Sequence, residues 1–328
     1  MERELTGRLP YRDVRGHLAF DLVRATEAAA LACATQIGRG DQDRAKAAAA
    51  SAMLSTLEEM DFRGRVVLGP RGDGTLSINS TVGASSGPEI DLGVYPVDGA
   101  SLVARGLPNA ISIVVAVEPG GFASLPAVAY TEKVAVGPGA RGAIDLDDSI
   151  ADNLRRIAFA RDGRVSDLTI TVLDRPRHHD LVEDVRSVGA RLLTLADGDI
   201  AGALMAAMDG TGVDAMFGIG GLQEAIMAAA ALRCLGGDMQ CRLWPRNDEE
   251  RILAGEEITR TYAAADLAEG DVSVAITGIS GGELLAAPWF GSAWAETSST
   301  QNSQEQSPSS KPSSPISKTP PKPPSTFP

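Results

Sequence analysis

Cysteine is scarce: Cys33, Cys234 and Cys241 are the only three in 328 residues, and no two of them form a CxxC pair. That excludes a disulfide framework or a paired-cysteine zinc site and points to inert thiols in a reducing compartment. Positive charge is also in deficit, with 30 lysines and arginines against 43 acids and a formal net charge of -13. Such a balance argues against broad binding along a nucleic-acid backbone. Long apolar runs are missing, because the longest alanine-rich stretch, residues 225–232, is far too short to cross a bilayer. The opening MERELTGRLPYRDVRGH has no signal-peptide core and mixes acids with its arginines, so the expectation is a cytoplasmic protein with no membrane partner.

What is present suits an α/β protein. Hydrophobic residues make up 44% of the chain, enough for one large core or two coupled ones. Over residues 18–37, Leu22, Thr26, Ala29, Cys33 and Ile37 recur at steps of three or four and share one helix face. After the Gly38-Arg39-Gly40 break a second helical stretch covers about residues 44–60. Short β-rich runs at 66–68, 90–94, 111–117 and 133–136 then alternate with Gly/Pro turns, which reads as two helices laid on a mixed sheet. The second half has a steadier rhythm, with strand-like segments at 168–173, 191–195 and 214–219, each followed by a helical stretch. That is a βαβαβα unit, and such units form parallel sheets.

These patterns divide the chain into a leader (1–17), a helix-pair-on-sheet domain (18–160), an α/β domain (161–295) and a tail (296–328). The tail is rich in Ser, Pro, Gln, Thr and Lys and is expected to be disordered. Its Lys311, Lys318 and Lys322, set among prolines, fit either a passive tail or a docking ligand with polyproline II character.

Ligands of parallel sheets sit beyond the carboxyl ends of the strands. Those ends carry Asp174-Arg175-Pro176-Arg177-His178, Ala196-Asp197-Gly198-Asp199 and Gly218-Ile219-Gly220-Gly221-Leu222-Gln223-Glu224. Singly, each feature has an ordinary explanation: a surface arginine, an aspartate capping a helix, a flexible glycine turn. Together they suit a phosphorylated polyol, with guanidinium groups for phosphate and carboxylates for hydroxyls.

Residues 87–101, GPEIDLGVYPVDGAS, read as a strand, a tight turn and a helix N-terminus. They resemble the Asp-Pro-hydrophobic-Asp/Glu-Gly-Thr/Ser turn of lithium-sensitive and fructose-bisphosphatase-type metal phosphatases. From about residue 20 to 290 the chain resembles class II fructose-1,6-bisphosphatases, including those that act on sedoheptulose-1,7-bisphosphate. The matching runs include LVRATEAAALA (22–32), GRGD (38–41), GLPNAIS (106–112), YTEKVAVGPGARGAIDL (130–146), LDRPRH (173–178), GGDMQ (236–240) and RLWPRNDEER (242–251). The resemblance implies a layered sugar-phosphatase fold and phosphate monoester hydrolysis with magnesium or manganese. It implies that Tyr130, Arg175, Arg177, Asp197 and Asp199 bind the sugar bisphosphate and that Asp98 and Glu224 are remnants of the metal site.

The other family positions are altered. Lys46 stands at an acidic ligand position, Pro70 replaces a ligand glutamate, Tyr95 replaces the first acid of the signature turn, and Ala100 replaces its hydroxyl. Since magnesium needs hard oxygen ligands, these changes imply an impaired phosphatase that still binds its sugar bisphosphate. Lys46 itself either neutralises a phosphate or points to solvent. The alternatives are an active enzyme with a rebuilt set of Asp98, Glu224 and Asp41 or Asp73, or a noncatalytic adaptor that works through its tail. Family members continue with further β-rich sequence where this chain turns polar. That predicts an uncovered sheet edge and association with a second copy or with an intact paralogue.

Overall fold

The computed structural model describes residues 14–70, 74–84, 87–290 and 295–304. Asp73, residues 1–13 of the leader, and residues 305–328 with their three lysines lie outside the described residues. In chain order the first part comprises α1 (Val14–Ala34), α2 (Gln42–Glu58), β1 (Arg63–Leu68), β2 (Thr81–Val82), β3 (Glu89–Asp98), α3 (Ala100–Arg105) and β4 (Ile111–Val117). Then come β5 (Tyr130–Val136), α4 (Ile150–Ala160), β6 (Thr169–Leu173), α5 (His179–Ser187), β7 (Arg191–Leu195), α6 (Asp199–Met205), β8 (Ala215–Gly221) and α7 (Leu222–Leu235). The last part holds β9 (Asp238–Trp244), α8 (Asp248–Ala254), β10 (Thr261–Ala263), α9 (Ala264–Leu267), β11 (Val272–Gly278), β12 (Trp289–Phe290), β13 (Ala295–Glu296) and β14 (Ser299–Gln304).

Two six-stranded mixed sheets carry the architecture, in the orders β14-β11-β4-β3-β1-β2 and β10-β9-β5-β8-β6-β7. Strand alternation decides what lies between them. Along β4, Ile111, Ile113, Val115 and Val117 face a central core shared with Met216 of β8 and Leu243 of β9. Val114 and Ala116 of the same strand point the other way, into the core beneath α1 and α2. Val134 and Val136 of β5 line a third core under α4. The middle layer is α6 and α7, and residues 225–232 of α7 are buried throughout. A helix apolar on every side belongs inside a protein, and its alanines are small enough to sit between two sheets. The result is five alternating layers, helices outside and between two sheets.

The expected parallel unit is present: β6 pairs in parallel with both β7 and β8. Its neighbours are placed differently from the sequence division at residue 160. Strand β5 pairs along its whole length with β8 and β9 of the second sheet, and α4 packs under that sheet. Strand β11 crosses back to pair with β4 of the first sheet. The tail boundary at 296 is corrected too, because β14 pairs antiparallel with β11 from Thr277↔Ser299 to Val272↔Gln304. Its polar sequence hid it, since an edge strand needs backbone hydrogen bonds more than apolar side chains. The edge of β11 expected to lie open is therefore covered by the chain's own β14. Thr297 and Ser299 add hydrogen bonds to the Glu27 carboxylate on α1, at 2.7 and 3.2 Å.

All three cysteines are buried and none is in a disulfide, and burial pushes the Cys33 and Cys241 thiols up to about 12. Among the described residues no helix is long and apolar enough to cross a membrane.

Candidate functional site

The crevice forms where the strands of the parallel unit end. Beyond Leu173 the chain turns through a short 3-10 helix, Pro176–His178, which fixes two arginines and a histidine. The buried His178 ring is fixed at both nitrogens: Nδ1–H donates to the Leu173 carbonyl at 2.7 Å, and Nε2 accepts from the Ile219 amide at 2.7 Å. This assigns the neutral tautomer. Burial pulls its pKa below the ordinary imidazole value, against the opposing bond to Leu173. Arg177 donates to the Ile219 carbonyl through Nε and Nη2, at 3.2 and 2.8 Å. Its guanidinium lies 4.8 Å from the ring centre of Tyr130, which Arg246 approaches from 5.6 Å. Cation–π contacts of this kind keep long side chains in one place.

Arg175 donates through Nη1 to the Asp174 and Ala196 carbonyls, both at 2.8 Å, and its Nη2 lies 3.8 Å from Asp197. The other Asp197 oxygen accepts from the Ser101 hydroxyl at 2.6 Å. Ser101 belongs to α3, which follows β3 of the other sheet, so this bond ties the two sheets together at the crevice. Tyr130, Arg175, Arg177 and Asp197 are all half-buried, held by the protein but still reachable.

Deeper in, polar groups engage one another. Asp199, the first residue of α6, is buried, and its Oδ2 accepts from the fully buried Lys133 at 2.7 Å. Its Oδ1 is buried without a protein partner. The glycine turn now has a steric reason: a Cβ at Gly220 would stand 2.0 Å from Asp199 Oδ2 and 2.3 Å from Lys133 Nζ. Asp98, the last residue of β3, is buried and caps α6 from across the crevice, accepting from the Ala201 amide at 3.0 Å. Burial raises the Asp98 pKa well above the ordinary value; the Ala201 bond opposes this, and the charges of Asp197, Asp199 and Glu224 add to it. Burial and then Asp199 also raise Glu224, in the first turn of α7. Tyr95 faces that carboxylate, and burial followed by Glu224 pushes its hydroxyl well above the usual range.

The altered positions separate. Gly99, left-handed at φ 85°, turns the chain from β3 into α3, where Ala100 is buried and the next residue, Ser101, carries a hydroxyl. Lys46 is exposed on α2, with its ammonium 3.5 Å from Asp43. That is its solvent-facing alternative. Pro70 is exposed as well, and Asp41 caps α2 by accepting from the Arg44 amide. Among the described residues, no three or more His, Cys, Asp or Glu side chains form a group that could hold a metal ion. A cavity of about 610 Å³ lies at the opposite ends of the same strands, bordered by Arg161, Arg191 and Asp214.

Residue-type reasoning at the strand ends passes over Ser101, Lys133 and Arg246, and it reaches His178 without giving it a role. Lys133 had a legible signal, since it is a single cation leading into the apolar run Val134-Ala135-Val136. Such a residue is either at an edge or paired inside. Ser101 had none, because its partner lies 96 positions away.

Residues 16–308 match the family model described as bacterial fructose-1,6-bisphosphatase, glpX-encoded. The chain is 36% identical over 293 residues to fructose-1,6-bisphosphatase 1 class 2 of Escherichia coli, covering 83% of this chain and 87% of that protein. The same figures hold for fructose-1,6-bisphosphatase class 2 of Shigella flexneri. The chain belongs to the class 2 bacterial fructose-1,6-bisphosphatase family.

Proposed function

We propose that this chain holds a sugar bisphosphate in the strand-end crevice and hydrolyses it weakly or not at all. The observation that supports this is the contrast in how the two halves of the site are satisfied. Arg175, Arg177, Tyr130 and Asp197 are fixed by backbone and ring contacts yet half-exposed, as phosphate- and hydroxyl-binding groups need to be. The inner acids are turned on partners within the protein: Asp98 on the Ala201 amide, Asp199 on Lys133. Glu224 is faced by Tyr95.

This donor set does not suit magnesium or manganese, the ions that the family resemblance implies. Magnesium holds its octahedron with several free oxygens, whereas here one inner carboxylate already carries an ammonium as its counter-ion. One observation favours the second reading, an active enzyme with a rebuilt metal site. After burial, the charges of Asp197, Asp199 and Glu224 raise the Asp98 pKa and that of Asp199 raises the Glu224 pKa, and carboxylates crowded in this way are what a cation would relieve.

Phosphate release from fructose-1,6-bisphosphate, with magnesium or manganese present and absent, separates the two readings when run beside calorimetric binding of metal and sugar. Binding with release far below about 1 per second is the expected result. Metal-dependent turnover at or above that rate would overturn it in favour of the active enzyme.

A further inference from the structure

Lys133 is the least explained charged group in the molecule. It lies mid-sheet on β5, opposite Gly218 of β8 on one side and Cys241 of β9 on the other, with its side chain 1% exposed. A lone ammonium at that depth is strongly disfavoured, and a buried pair offsets its desolvation only when geometry and further hydrogen bonds are good. The structure satisfies half of that condition. Lys133 Nζ is 2.7 Å from Asp199 Oδ2, but Asp199 Oδ1 is buried with no protein partner. A charged oxygen held in place and left unmatched is costly in an empty site and useful in a filled one.

The surroundings fix that oxygen, which is buried with its residue 8% exposed. Asp199 opens α6, directly after Asp197, whose own carboxylate meets Arg175 at the crevice. Only a glycine at 220 leaves room for the ion pair. We infer that Lys133 is a positioning residue: by engaging one oxygen of Asp199 it presents the other to a single hydroxyl group of the bound polyol phosphate. The arginines then hold phosphate and the Lys133–Asp199 pair reads the carbon chain, so the pair governs the preference for a hydroxylated ligand over any other bisphosphate. This rests on the strand-end crevice being the sugar-phosphate site.

The test compares two ligands by calorimetry on the full chain: fructose-1,6-bisphosphate and 1,6-hexanediol bisphosphate, which keeps both phosphates and lacks the ring hydroxyls. Wild type is expected to prefer the sugar by about tenfold or more. Lys133→Met should weaken sugar binding about 10- to 100-fold, the worth of one charge-assisted hydrogen bond. The diol bisphosphate should change by less than about threefold. Because Lys133→Met leaves Asp199 buried without a counter-ion, the neutral pair Lys133→Met with Asp199→Asn is measured alongside. It should fold to the same far-ultraviolet spectrum and show the same selective loss. An equal loss on both ligands, or no loss on either, in a variant that folds would overturn the inference and leave the site assignment standing. Wild type binding both ligands equally would do the same, whereas wild type binding neither would overturn the crevice assignment and the inference together.

Discussion

The inner acids and the outer crescent are a few residues apart in sequence, Asp199 against Asp197, yet they are built on opposite plans. Asp98 and Glu224 lie deep and have partners chosen from the chain itself, while Asp199 stands between the two plans, with one oxygen on Lys133 and the other unmatched. Tyr130, Arg175, Arg177 and Asp197 are braced from behind, by carbonyls, a hydroxyl and neighbouring rings, with room in front. A side chain matched inside the protein contributes mainly to stability, and one braced but open contributes mainly to binding. The contrast therefore predicts which measurement each substitution should move.

The largest effect is expected on the open side. Arg175→Ala should weaken fructose-1,6-bisphosphate binding about 10- to 100-fold with little change in melting temperature. A lower melting temperature with unchanged affinity would instead make Arg175 a structural brace and erase the contrast. Tyr95→Phe comes next, with the opposite signature: a loss of about 1 kcal/mol of stability as the Glu224 carboxylate loses a polar neighbour, and unchanged sugar affinity. If that variant binds sugar more weakly, Tyr95 belongs to the crescent.

His178 sharpens the comparison through pH. Its folded-state pKa is lowered from 6.5, so below that value the unfolded chain takes up a proton that the folded protein refuses. Stability is then complete above pH 6.5 and declines as pH falls toward the folded value, by at most about 1.4 kcal/mol per pH unit. Chemical denaturation across pH 5 to 8 should show this slope, and His178→Gln should flatten it. A slope that survives the substitution assigns the effect to other groups. The smallest expected effect is that of Lys46→Ala. An exposed lysine 3.5 Å from Asp43 contributes little, so stability and sugar affinity should both hold within about 0.5 kcal/mol. A clear loss of affinity would bring Lys46 into the crevice.

Much of this was legible beforehand because it depends on local chemistry. The helix pair, the strand runs at 111–117 and 191–195 and the turn through Gly99 follow from periodicity and turn residues. The strand-end rule brings Arg175, Arg177, Asp197 and Glu224 to one end of a parallel unit. Long-range pairing escapes such reasoning. Nothing in STQNSQ says that it completes a sheet, and nothing around Ser101 names Asp197 as its partner.

By itself, then, the sequence determines the layered α/β class, the family and the set of polar residues at the strand ends, since these follow from hydrophobic pattern and motif order. Only the tertiary structure decides which of those residues face a ligand and which face each other. Burial, the Lys133–Asp199 pair and the unmatched Oδ1 of Asp199 arise where β5, β8 and α6 meet in space. The energetic standing of a charge depends on what surrounds it rather than on its neighbours along the chain.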